Sequence, residues 1–546
     1  MEFFLTHNLS LRWLSVLMVF ALALEGTLKP IKTFPKGARI WLFLMLVFIA
    51  LFIWRYPFMV YPAELNVDES QTLASARIFW NDPVPWRSTD TTTSGPLNSY
   101  VYLWTQIFGY YPDYFSKRLT AVFLGWGTLV FLFLSARSLI NDRAAFLCIL
   151  PAIWFYVFPQ ELDFVHASTE FFPVFLISGG LFMAIRCLTT LNPKNLEWLL
   201  CGLILGLVPF SKLQGAPLAA AVGIVLIVGS IRINGWTSMQ TVLAVVGGVI
   251  PSLIICAWTL AAGCFDDMWL RSFHLALTMK GDRAYIGWWG RFEWISRCSA
   301  GFLIFFPLAI GMLIVAILDA VRSKTHEKIL LPAGALVWIC IGIYITIKSG
   351  SIFPHYLYFM IAPLAMGIIA AVRHFPGKPA EWPSVLLILP TALFFFTALT
   401  QVDVHQQTAA ALLTKPDLRD ELSKFISSNL KPGEYLGIWG WTPRYFVETS
   451  TRSATRDLVS YLLLIDAEST PAYRAGYTDD MKKNRPRIFI DTVVDKIDDP
   501  RFPPVEEGRH TCYPPLREFI EENYTKIGEF KPPGKSALVW IYRLRE

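Results

Sequence analysis

WLFLMLVFIALFIWRYPFMVYPAELNVDES, residues 41–70, passes from one solvent to another within a single line. Residues 41–59 are almost wholly apolar, and at about 1.5 Å of rise per residue roughly 20 helical residues cross a hydrocarbon core. Glu64, Asp68 and Glu69 follow almost at once. The stretch therefore reads as a membrane span that delivers three carboxylates to the bilayer face, and that reading decides the rest of the chain.

Outward from it, further apolar runs lie near 119–136, 144–159, 171–186, 198–214, 216–231, 240–260, 299–320, 329–347, 356–372 and 383–400, which with 41–59 makes eleven predicted spans. Basic residues recur in alternate gaps: Lys29, Lys32, Lys36 and Arg39; Arg137 and Arg143; Arg186 and Lys194; Arg232; Arg322, Lys324 and Lys328; Arg373 and Lys378. Under the positive-inside rule these gaps are cytoplasmic, and loops 60–118, 160–170 and 261–298 fall on the other side with segment 401–546. A short apolar stretch at 14–26, interrupted by Glu25, reads as a twelfth span, a signal-like anchor or an interfacial helix.

Composition divides the chain at the same place. Residues 1–400 carry 27 basic and 20 acidic side chains, whereas 401–546 carry 21 and 22 in a much shorter segment. The expected organisation is an N-terminal hydrophobic and basic stretch over 1–40, a transmembrane module over 41–400 and an external α/β domain over 401–546. In the last, DLRDELSKFISSNL (417–430) has helical spacing, and EYLGIWG (434–440), PRIFIDTVV (486–494) and KSALVWIYRL (535–544) read as strands. The net charge of +6 arises in the membrane half between apolar runs, so no nucleic-acid partner is expected. Eight cysteines contain no CxxC, and a disulfide between Cys264 and Cys298 is conceivable only in an oxidising compartment.

Several polar residues exceed what a membrane architecture requires. Asp68 and Glu69 can cap a helix, but a carboxylate beside a low-dielectric wall also makes a useful general base. Between the third and fourth spans, Glu161, Asp163 and Glu170 form a second acidic group. Glu170 is either a first-turn acid favoured by the helix dipole or a possible second catalytic acid. Asp163 is an ordinary loop acid, a carboxylate that orients an acceptor, or a ligand for a possible divalent cation. Lys212 in PFSKLQG snorkels or neutralises a lipid phosphate. Arg118, Arg271, His355 and Tyr356 join it as candidate donor-phosphate contacts, with His274 nearby in sequence.

A polyprenyl-phosphate sugar suits this set, being an amphiphile with a headgroup at the surface and a tail in lipid. Its lipid phosphate is a good leaving group, so catalysis needs a base for the acceptor hydroxyl and cations for the phosphate. Asp68 is read as that base, and a single displacement inverts the anomeric centre. No cofactor is required beyond the possible cation.

LNVDES (65–70), KRLTAVFLG (117–125), SKLQG (211–215) and FPHYLYFMIAPLA (353–365), in this order, resemble the GT-C superfamily of integral-membrane glycosyltransferases. The resemblance lies within the group that includes protein O-mannosyltransferases, the lipid A aminoarabinose transferase and lipopolysaccharide-core galacturonosyltransferases. LGIWGWTPRYFVETSTRSATR (436–456) and RPRIFID (485–491) are similar to segments of bacterial members. The resemblance implies a polytopic α-helical fold with a C-terminal periplasmic domain, in the bacterial inner membrane. It also implies a lipid-phosphate sugar donor, a glycolipid, glycan or protein acceptor, Asp68 as the first-loop catalytic acid, and Lys212 and His355 near the donor phosphate. A transporter or flippase, or an inactive envelope scaffold, is the competing expectation.

Overall fold

The structure, a computed structural model, describes the chain apart from residues 1, 29–35, 92–93, 158, 160, 275–285, 325, 349–352, 376–402, 416, 459–460, 466–469, 495–502, 533 and 536. It forms two compact units, each assembled from three separate stretches of chain. The first comprises Met1–Tyr61, Arg118–Ile254 and Arg283–Pro416; the second comprises Pro62–Lys117, Ile255–Asp282 and Asp417–Glu546.

Eight described helices are long and apolar enough to cross a membrane by length and composition: Gly37–Met59, Tyr114–Leu139, Phe171–Thr189, Leu213–Asn234, Met239–Ala261, Gly301–Arg322, Lys328–Ile347 and Pro354–His374. Two predicted spans fall on the shorter helices Ala144–Val157 and Asn195–Ser211, and 383–400 lies outside the described residues. The run near 144–159 is enclosed by protein. All of Leu150–Val157 is buried, so its hydrophobic character matches protein neighbours on every side and does not require lipid. Pro354–His374 is likewise almost wholly buried, whereas Ile224, Val225, Leu253, Leu303 and Val315 leave apolar faces exposed on their helices, as a lipid-facing wall does.

Close packing in this unit depends on glycine. A Cβ added to Gly202 would meet the backbone of Ala244 and Gly248, and one added to Gly247 would meet the backbone of Leu199 and Leu203. Helices Asn195–Ser211 and Met239–Ala261 therefore touch main chain to main chain, the small-residue packing that substitutes for hydrophobic burial in lipid. The stretch 14–26 lies wholly within Asn8–Leu28, which is tied to Lys36–Met59. There Arg12 Nη2 donates to the Trp54 carbonyl at 2.9 Å, and Val16 and Val19 are buried.

The second unit is built on a five-stranded sheet: β1 (Tyr435–Trp439), β2 (Arg452–Ser453), β3 (Ile488–Asp491), β4 (Tyr524–Phe530) and β5 (Val539–Leu544), in the order β2-β1-β3-β5-β4. β1 pairs in parallel with β2 and β3, while β5 runs antiparallel to β3 and β4. Alternation assigns the two faces. Trp439 and Phe489 pack with Tyr473, Tyr477 and Met481. Leu436, Ile438, Ile488 and Ile490 pack instead with Leu422, Ile426 and Phe446, and with Ala74 and Ile78 from helix Val67–Phe79 of the first loop. Arg77 on that helix donates Nη1 to the carbonyls of Phe446 at 3.0 Å and Val447 at 2.8 Å. Cys264 and Cys298 are both free; their thiols meet the carbonyls of Pro85 and Trp294.

Candidate active site

In the first unit a buried polar chain interrupts the apolar core. Lys212 ends helix Asn195–Ser211, where Pro209 and Gly215 bracket a break before the next helix. Lys212 is 3% exposed, and its ammonium forms an ion pair with Glu170 and donates to Thr169 Oγ1 at 2.7 Å. Two charges so deeply removed from water persist only as a pair. Burial alone pushes the Glu170 carboxyl up, yet the Lys212 ammonium and the His355 ring hold it below its ordinary range. Glu170 precedes the first turn of Phe171–Thr189, where the helix dipole also favours its negative charge.

The chain continues through His355. Its Nε2 lies 3.9 Å from Glu170 Oε2 and its Nδ1 3.8 Å from Asp163 Oδ1. His166, at the end of the short helix Leu162–Val165, sets its ring edge-on to His355 with centroids 5.1 Å apart. The Lys212 ammonium stands 5.1 Å over the Tyr356 ring. Behind this row, the Tyr358 hydroxyl donates to the Phe164 carbonyl at 2.6 Å and Arg55 donates to the Tyr156 carbonyl at 2.6 Å, fixing backbone on either side. The structure thus brings together Asp163, Glu170, Lys212, His355 and Tyr356. His166 and Thr169 belong with them and were not singled out in the sequence. The Asp163-x-x-His166 spacing, one helical turn, is a signal that could have found the histidine.

Arg118 is also in this unit, but its Nη1 donates to the carbonyls of Phe58 and Tyr61, satisfying the end of helix Lys36–Met59. It braces the point where the first loop leaves the membrane helix.

Asp68 and Glu69 stand in the first turn of Val67–Phe79 in the second unit, and Asn66 caps that helix by accepting from the Asp68 amide. Glu69 is fully buried and accepts from the Leu65 amide at 3.0 Å. Asp68 is partly exposed, and its carbonyl receives Lys117 Nζ at 3.0 Å. Lys117, overlooked beside Arg118, also reaches the Glu69 carbonyl at 3.3 Å and the Thr72 hydroxyl, so it holds the turn that presents Asp68. Glu64 is half-buried in the same unit with its Oε2 enclosed; desolvation lifts its carboxyl to about 7, against hydrogen bonding from Ser70 and the charge of Arg444.

Arg271 is placed elsewhere in the second unit. It pairs with Asp90 at 3.0 Å and with Asp457, and its guanidinium lies 4.4 Å over Tyr473. With Asp267 at 3.5 Å, three carboxylates share this one cation, which couples the first loop to the segment after β2. Burial works against the guanidinium's charge, but Asp457 and Asp90 raise its pKa well above the ordinary value.

No protein-family model matches the chain, and no curated protein matches it. Solved structures do. ArnT from Cupriavidus metallidurans in the apo state is similar with a TM-score of 0.55 and 13% identity, over 93% of this chain and 98% of that one. The same protein bound to undecaprenyl phosphate gives a TM-score of 0.53 at 13% identity, over the same shares. The chain shares the fold of these ArnT structures over nearly its whole length, with a polytopic helical part and a C-terminal α/β sheet. At this identity the likeness concerns the fold.

Proposed function

We propose that the chain is a glycosyltransferase that takes a sugar from a polyprenyl-phosphate donor and places it on a hydroxyl of an envelope glycolipid, glycan or protein at the periplasmic face of a bacterial inner membrane. The observation that carries this reading is the row of buried Lys212, Glu170 and His355 ending at the half-buried Asp163, within a helical membrane module of the ArnT fold. The C. metallidurans protein of the same fold holds undecaprenyl phosphate, a ligand of the expected chemistry.

An ammonium has three N–H donors, and Lys212 directs two of them to Thr169 and Glu170. The third suits a phosphate oxygen, with Tyr356 and His355 beside it. Asp68 is assigned as the base. As the acceptor oxygen bonds to the anomeric carbon, the bond from that carbon to the phosphate oxygen breaks, the acceptor proton passes to Asp68, and the polyprenyl phosphate leaves with the electron pair. The anomeric centre inverts. Arg118 and Arg271 act as braces in this reading, because carbonyls and carboxylates of the protein already engage them.

Purified protein given radiolabelled polyprenyl-phosphate sugars and an envelope glycolipid extract tests the proposal. Transfer is expected, with Asp68→Asn lowering turnover by about 10²–10⁴ and Lys212→Ala weakening donor binding. Unchanged turnover in Asp68→Asn would remove the base. Absence of transfer with every donor would favour a flippase or transporter.

A further inference from the structure

We propose that helix Trp288–Arg297 is a membrane anchor, whose exposed indoles dock into the glycerol and headgroup layer of a phospholipid bilayer and set the depth at which the neighbouring span Lys328–Ile347 ends. The helix lies in the first unit and reads WWGRFEWISR, three tryptophans in ten residues. All three keep much of their surface uncovered: Trp288 is 52% exposed, Trp289 76% and Trp294 47%. An indole joins a broad apolar body to one N–H donor, so it is costly in water, poorly matched to hydrocarbon, and favoured at the boundary between the two. The other side of the helix is taken up by protein. Ile295 is buried in the apolar core, and the Phe292 ring packs on Phe306 with centroids 5.3 Å apart.

Arg291 fixes where this helix sits along the span. Its Nη1 donates to the carbonyls of Ile347 at 3.1 Å and Lys348 at 3.3 Å, and its Nε donates to the Ile286 carbonyl at 2.7 Å. Ile347 is the last residue of the span, where helix carbonyls lack partners within the helix. One guanidinium therefore caps the span and pins Trp288–Arg297 against its end. Trp288 then stacks on Tyr344, with ring centroids 5.7 Å apart and planes 13° apart. Tyr344 is itself exposed and stands within the last turn of the span, so Trp288 is level with the depth at which hydrocarbon gives way to headgroups. Val337 on the same span and Leu303 near the start of Gly301–Arg322 are exposed too, and the aromatic patch continues that lipid-facing wall.

Charge decides what kind of lipid surface the helix fits. Glu293 and Arg297, one turn apart and both exposed, pair with each other, while Arg291 is turned inward. The outward side of the helix thus carries no net charge. An anchor that worked by attraction to anionic lipid would present a cluster of lysines and arginines there. This one relies on indole partitioning, so it is indifferent to headgroup charge and to salt. A second copy of the chain is the other cover that an exposed aromatic patch could take. Its place at the end of a span, continuous with the lipid-facing wall, favours the bilayer. The inference does not depend on the transferase reading.

The test reconstitutes the full chain into phosphatidylcholine bilayers that carry nitroxide-labelled lipids, with Cys256, Cys298, Cys340 and Cys512, the cysteines that are not buried, replaced by serine. A fluorophore attached through Trp289→Cys or, separately, Trp294→Cys reports the depth of the helix, and one at Val315→Cys, well inside Gly301–Arg322, marks the hydrocarbon core. Both helix labels should lose more fluorescence to a nitroxide at the headgroup or upper chain than to one near the chain end, and the Val315→Cys label should show the reverse order. Adding phosphatidylglycerol or salt should leave the pattern unchanged. Two independent label sites keep the reading intact should either substitution impair folding. Helix labels that no nitroxide lipid quenches overturn the anchor, as does quenching that appears only with phosphatidylglycerol. Shielding of the labels that appears only as the protein density in the bilayer rises assigns the patch to a second copy and overturns it equally.

Discussion

At the scale of single residues the stakes are set by burial. Removing one member of a buried pair leaves the other charge uncompensated and costs about 3–5 kcal/mol, whereas replacing both with apolar groups is often close to neutral. Glu170→Ala should therefore lower the thermal unfolding temperature of the detergent-solubilised protein sharply, and Glu170→Leu with Lys212→Met should recover most of it. Glu64 gives a second expectation. Its ordinary value is 4.5 and its folded value about 7, so the folded state holds the proton more tightly than the unfolded one. Its contribution is fully present below the unfolded value and is lost as pH rises to about 7, a decline of roughly 3 kcal/mol at most. Thermal unfolding followed from pH 5 to pH 8 should show that decline in wild type and a flatter profile in Glu64→Gln. The sequence marked Glu170 and Lys212 as suspects one at a time. Their pairing was not legible, because they stand 42 positions apart and neither periodicity nor charge pattern links residues across two helices.

At the scale of elements, what could be read followed from pattern strength. β1, β3 and β5 alternate aromatic and branched residues and were visible in the sequence. β2 is two residues long, and β4, YTKIGEF, is an edge strand with a mostly exposed face, so neither carries a hydrophobic period. That the run near 144–159 is enclosed by protein was not legible, because an interior helix and a lipid-facing helix share the same composition. Glycine contacts were also hidden, since a glycine in an apolar helix does not announce what it touches. Gly202→Ala should force Asn195–Ser211 away from Met239–Ala261, an overpacking cost typically of about 1–3 kcal/mol. Gly223→Ala, whose added carbon would reach its nearest neighbour only at 4.0 Å, should be tolerated. Comparing the unfolding temperatures of the two variants checks this.

For the whole molecule, apolar runs and alternating basic gaps were enough to predict a polytopic fold with a C-terminal α/β part, and the likeness in fold agrees with that prediction. The composition of the second unit was less legible. Charge density changes near residue 400, but the unit also takes in Pro62–Lys117 and Ile255–Asp282, which contacts define and composition does not. The positive-inside reading predicts that cysteines placed at the exposed Leu191 and Lys424 face opposite sides. In spheroplasts, with the exposed Cys340 and Cys512 replaced by serine, an impermeant thiol reagent should label Lys424→Cys directly and Leu191→Cys only after permeabilisation.

The reach of Arg77 to the carbonyl of Val447 spans 370 positions of chain. At roughly 5–20 residues per second of synthesis, helix Val67–Phe79 emerges about 20–70 s before the strands that will cover Ala74 and Ile78 exist. During that delay the apolar edge of Ala74 and Ile78 stays uncovered and the Arg77 guanidinium is left to water, so the first loop reaches its native packing only after the C-terminal strands are made.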